Sequence, residues 1–68
     1  MAERLANRLK ERRSELGLTQ AELAEKVGVT RKTVNTVENG VFTPSATLAI
    51  KLSQALEISV EQLFWIER

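Results

Sequence analysis

The sequence predicts an all-α fold of five short helices, and three observations carry that expectation. Apolar residues recur at three- and four-residue spacing along most of the chain. Thr19, Thr30 and Ser59 stand where helix N-caps are needed, and Thr19 and Ser59 have Glu22 and Gln62 three residues on, the spacing of a capping box. Three glycines and one proline fall between the periodic runs. No segment alternates apolar and polar residues for long, so no strand is expected.

Taken in order, Leu5, Leu9 and Leu16 form the stripe of a first helix that Gly17 ends. Thr19 opens a second helix, which carries Leu23 and Val27 and is cut short by Gly28. Thr30 opens a third over about residues 30–38, with Val34 and Val37 on its buried side. Asn39 and Gly40 close it, since both tolerate the left-handed conformation of a helix exit. Pro44 is expected in the first turn of a fourth helix bearing Leu48, Leu52, Ala55 and Leu56. Ser59 starts a fifth, with Leu63, Phe64 and Ile66.

With 68 residues the chain is expected to be a single domain, 1–68, with a modest core. The absence of cysteine and histidine removes disulfides, thiolate metal sites, and the commonest general base and metal ligand. No glycine loop suited to a phosphate and no carboxylate pair in an apolar setting is present, so neither an enzyme nor a metal or other cofactor is expected. The charged start at Glu3 and Arg4 does not read as a signal peptide, and no apolar run approaches the roughly 20 residues of a membrane span. A cytoplasmic, nucleoid-associated protein is the expectation. Net charge is only +1, but residues 1–40 hold eight bases against six acids, which leans the front of the chain toward a basic face.

The second and third helices, joined by a glycine-containing turn across about residues 19–39, make a helix-turn-helix candidate. A plain helical hairpin in a small bundle would read similarly. The outward residues of the third helix separate the two. Arg31 and Lys32 lie in its first turn, followed by Asn35 and Thr36. Arginine and lysine donate to guanine O6 and N7, asparagine pairs with adenine, and threonine offers a hydroxyl and a methyl group. Two cations in a first turn also oppose the helix dipole, which a helix shaped for stability alone would avoid.

Two charges fall on apolar stripes. Arg13 lies four residues after Leu9, and Glu38 four after Val34. A partly buried Arg13–Glu38 ion pair would satisfy both, because a lone buried charge is expensive. Two side chains snorkelling separately to solvent are the other solution.

The stretch Gly17 to Val34 (GLTQAELAEKVGVTRKTV) and its continuation through Val37-Glu38-Asn39-Gly40 strongly resemble the phage-repressor and Cro-type, or Xre-type, helix-turn-helix family. Pro44 to Ala49 and Leu56 to Phe64 resemble that family's fourth and fifth helices. The resemblance covers nearly the whole chain. It implies a compact, lambda-repressor-like DNA-binding domain that acts as a transcriptional regulator, usually a repressor, on double-stranded DNA. By the same resemblance Thr19, Gln20, Thr30, Thr33 and Asn39 would contact the DNA backbone, and Arg31, Lys32, Asn35 and Thr36 would face base edges. Arg13 and Glu38 match a pair often ion-paired in such repressors. Val41 and Phe42 depart from the family, which often has lysine or arginine there. Phe42 would then pack under the fourth helix or meet a partner. The chain stops soon after the fifth helix, so the separate effector domain of larger repressors is not expected.

Phe64 and Trp65 cannot both face inward on a regular helix, so one is expected to be exposed. A homodimer through the fifth helix would use it, placing two recognition helices on a pseudo-palindrome. A tryptophan folded back on its own domain is the other reading. The competing function is an antitoxin or another module whose main partner is a protein. It is suggested by the near-neutral charge and by Val41 and Phe42.

Overall fold

The computed structural model describes residues 3–68. In chain order the elements are β1 (Arg4–Asn7), α1 (Leu9–Glu15), α2 (Gln20–Val27), α3 (Arg31–Glu38), α4 (Ala46–Ala55), α5 (Val60–Leu63) and β2 (Phe64–Glu67). The five helices enclose one apolar core. Leu9, Leu23, Val34, Val37, Leu52, Leu56 and Leu63 are its largest fully buried side chains, drawn from all five helices and, for Leu56, from the residue that ends α4.

The expectation of an all-helical chain without strands is corrected here. β1 and β2 pair antiparallel, with Arg4 opposite Glu67, Leu5 opposite Ile66, Ala6 opposite Trp65 and Asn7 opposite Phe64. Leu5 therefore does not continue the stripe of α1. The helix starts only at Leu9, where the Asn7 side-chain carbonyl accepts the Leu9 N–H at 2.9 Å. At the other end α5 stops after a single turn, and the extended backbone of Phe64 (φ −126°, ψ 144°) begins the strand. Alternation then decides the question left open by the two aromatics. Phe64 turns into the core and is 6% exposed, whereas Trp65 is 37% exposed on the other face. The Arg8 guanidinium lies over the Trp65 ring, 5.1 Å from its centroid.

Pro44 was expected inside the first turn of the fourth helix. It lies just ahead of that helix. Ser45 is the N-cap, and its hydroxyl accepts the Leu48 N–H at 3.1 Å. The far end of α4 is held differently. Glu57 follows it in the left-handed region at φ 56°, where glycine is the usual residue. Arg12 reaches across from α1 to clasp this exit, donating to the Leu56 and Glu57 carbonyls at 2.8 and 3.3 Å.

Burial sorts leucines from isoleucines of similar hydropathy. Leu23→Ala will lower stability by about 2–5 kcal/mol, whereas Ile50→Ala, at a half-exposed position on α4, will stay within about 0.5 kcal/mol. Thermal or urea denaturation of the two variants checks this, and comparable losses would contradict the assigned core.

Candidate nucleic-acid interface

The α2–α3 pair is built by local chemistry at each of its ends. At the start, the Thr19 hydroxyl accepts the Glu22 N–H at 3.1 Å while the Glu22 carboxylate accepts the Thr19 N–H at 2.9 Å. At the end of α2, Gly28 takes a left-handed conformation (φ 75°), and the next N–H, of Val29, returns to the Ala24 carbonyl at 3.0 Å. A side chain at Gly28 would meet no steric neighbour, so the backbone conformation alone favours glycine there. Thr30 then caps α3, its hydroxyl accepting the Thr33 N–H at 3.2 Å. Turn chemistry thus reverses the chain in three residues and presents α3 beside α2.

Arg13 and Glu38 anchor α3 from behind. Arg13 Nε donates to Glu38 Oε2 at 2.6 Å and Nη2 donates to Oε1 at 3.3 Å, a bidentate pair. Their side chains are 12% and 3% exposed. The remaining Arg13 nitrogen, Nη1, donates to the Leu18 carbonyl at 2.8 Å, and Gln20 Nε2 donates to Glu38 Oε1 at 3.0 Å. The Glu38 carboxylate thus joins α3 to α1 and α2, and Arg13 extends the link to the loop before α2. Asn7 adds a fourth tether, donating from Nδ2 to the Val37 carbonyl at 3.0 Å.

On the other side of α3, Arg31, Lys32 and Asn35 are exposed together. Neither cation makes an ion pair among the described residues, and the first turn of α3 holds no acidic residue. Arg31 also borders a shallow groove with Thr19, Gln20 and Ala21, so the start of α2 and the start of α3 share one surface. Thr36 is half-buried and spends its hydroxyl proton on the Thr33 carbonyl at 2.9 Å, leaving its methyl group and oxygen lone pairs for a ligand. Thr30 and Thr33 are engaged with each other, their hydroxyl oxygens 3.0 Å apart.

Two features of this surface escaped the sequence reading. Asn39 Nδ2 donates to Asn35 Oδ1 at 3.2 Å, fixing the Asn35 amide so that its own NH₂ group stays free to donate outward. The i, i+4 spacing of two asparagines was the available signal. The Gln20 amide is likewise committed on one side to Glu38, an arrangement that spacing alone does not reveal.

The helix-turn-helix family model matches residues 9–63, and the chain belongs to that family of Xre-type, DNA-binding regulators. It is 43% identical over 63 residues to the uncharacterized HTH-type transcriptional regulator YgzD of Bacillus subtilis, covering 93% of this chain and 96% of that one. It is 39% identical over 56 residues to the antitoxin HipB of Escherichia coli K12, covering 82% of this chain and 64% of that protein. Among solved structures, the P22 c2 repressor in complex with a synthetic operator superposes with a TM-score of 0.77 at 31% identity, covering 79% of this chain and 82% of that one.

Two outcomes follow for the scaffold. Glu38→Ala strands the Arg13 charge and will cost about 3–5 kcal/mol, whereas replacing Arg13 and Glu38 together by apolar residues of similar size will recover most of it. Additive losses in that double-mutant cycle would show the pair to be energetically uncoupled. The second concerns pH. The Thr19 N–H and hydroxyl hold the Glu22 carboxyl below its ordinary value. Its contribution is therefore present above the ordinary carboxylate pKa and is lost as pH falls through the depressed one. Glu22→Gln keeps an acceptor but cannot titrate, so its melting temperature should fall less steeply on acidification. Parallel pH profiles would contradict this assignment.

Proposed function

We propose that this chain is a sequence-specific transcriptional regulator, acting as a repressor, that inserts α3 into the major groove and binds a pseudo-palindrome as a homodimer. The observation that carries it is the free cationic face of α3. Arg31 and Lys32 stand unneutralised in the first turn at an energetic cost of a few tenths to about 1 kcal/mol, next to an oriented Asn35 amide. Phosphate would relieve that cost, and base edges match those donors. In this reading Arg31, Lys32, Asn35 and Thr36 meet bases. Gln20 and Thr19 at the start of α2, with Thr30, Thr33 and Asn39 around α3, meet the backbone. The similarity to an operator-bound phage repressor supports the placement of α3.

Selection from random duplex DNA, repeated across a salt series, tests it. The expected result is an inverted repeat with half-site centres about 34–36 Å apart and an affinity that falls steeply with salt. Arg31→Ala will cost about 1–3 kcal/mol and relax one base position. Gln20→Ala will weaken all sequences without changing the selected motif. Equal loss on specific and random duplexes for Arg31→Ala would remove it from the base-reading set.

A second reading has its own support. The likeness to HipB, together with Val41 at 79% and Phe42 at 48% exposure beside the exit of α3, fits an antitoxin that binds a protein through the loop before α4. No enriched sequence in the selection, with one stoichiometric protein co-purifying through a surface that Phe42→Ala disrupts, would move the function there.

A further inference from the structure

We propose that two copies of this chain join along the open edge of β2, the two strands running antiparallel with Ile66 of each on the twofold axis. This deepens the homodimer reading above and rests on it.

The hydrogen-bond alternation of the ribbon selects the residue on the axis. Bonded and non-bonded pairs alternate along an antiparallel ladder. Arg8 N donates to the Leu63 carbonyl at 3.0 Å, one step beyond the Asn7–Phe64 pair. The bonded pairs are therefore Arg8–Leu63, Ala6–Trp65 and Arg4–Glu67. The main-chain N–H and C=O of Ile66 consequently point away from β1. Those of Phe64 do too, but its N–H is already taken by the Val60 carbonyl. A twofold axis through an antiparallel bonded pair needs an outward-facing residue opposite itself. Ile66 meets that need, exchanging both of its bonds with the partner subunit's Ile66. The Phe64 carbonyl then faces the N–H of the partner subunit's Arg68.

The side chains agree with this register. On the core side, Leu5 and Ile66 continue into the partner's Ile66 and the partner's Leu5, one unbroken apolar row. It covers Ile66, which is 56% exposed in the single chain. On the opposite face Trp65 comes beside the partner's Glu67, within the neighbourhood of the Arg8 guanidinium that stacks on the Trp65 ring. That row runs Ala6, Trp65, the partner's Glu67, the partner's Arg4, and no like charges stand opposite one another. The edge of β1 is a poorer candidate. Glu3, Arg4 and Leu5 border a groove whose other wall is Phe42, Thr43 and Pro44, so the α3–α4 connection stands beside it. A two-stranded ribbon is marginal by itself, and an open apolar edge invites pairing. Four strands resolve both conditions.

The chain has no cysteine, so Ile66→Cys introduces a single thiol. A short bis-maleimide should link this variant into a dimer under dilute conditions in which Ile50→Cys, on α4, stays monomeric on denaturing gels. Ile66→Pro removes the outward N–H, which the ribbon does not use, and Ile66→Ala serves as the control for the loss of the side chain. The proline variant should keep the helical circular dichroism and raise the dimer dissociation constant, read by sedimentation equilibrium, at least about tenfold. A dimeric parent whose dissociation constant is unchanged by Ile66→Pro, and whose Ile66→Cys variant links no better than the Ile50 control, overturns the edge pairing while leaving the dimer intact. A parent that is monomeric both free and on selected DNA overturns both. If Ile66→Pro fails to fold, the cross-linking comparison decides alone.

Discussion

The Glu38 carboxylate is the constraint on which the placement of α3 depends. It is almost fully enclosed, and it accepts from Arg13 twice and from Gln20 once. A charge so enclosed is tolerable only when its partners are fixed, so each element that supplies a partner is fixed in turn. The clamp sits at the last turn of α3, and the Asn7 bond to the Val37 carbonyl reinforces the same end. The opposite end, with Arg31 and Lys32, is held by the Thr30 cap and by Val34 packing in the core. α3 is thus gripped where it leaves the domain and projects where it begins. A rigid rear and a free front are what a helix needs to present side chains in one register.

The free front also carries strain of an electrostatic kind. Cations at a helix start face the positive end of the dipole, and here no carboxylate offsets them. Some charges elsewhere are compensated. Arg4, Arg12 and Arg68 each reach a carboxylate of the same chain, and Glu22 stands in the first turn of α2. The first turn of α3 carries two cations with neither an acidic residue nor an ion-pair partner among the described residues.

Much of this was legible in the sequence because its causes are local. Capping boxes at Thr19 and Ser59 operate over three residues, and the glycine exits lie within one turn. Arg13 and Glu38 could be matched because each broke an apolar stripe, a conflict that only pairing or solvent can settle. The ribbon was illegible for the converse reason. Four residues are too few to display alternation, and the partners lie about sixty positions apart, so only tertiary pairing makes either segment a strand. Leu5 fits a helical stripe equally well until Asn7 moves the start of α1 to Leu9. On the functional face, residue types were readable but their commitments were not. The Asn39–Asn35 and Gln20–Glu38 bonds set which amide groups remain available, and they depend on geometry.

The ribbon joins the first described segment of the chain to the last. In a bundle of short helices the ends ordinarily unravel separately, each at small cost. Here each end is the other's partner, so neither can peel away without exposing its mate. Closing so long a loop is entropically unfavourable, a cost that the packing of the helices around Leu23 and Leu52 helps to offset. Once closed, the seam makes the domain behave like a strap fastened on itself. Asn7 is at once a ribbon residue, the start signal of α1 and a tether on α3, so the seam and the last turn of α3 share one side chain.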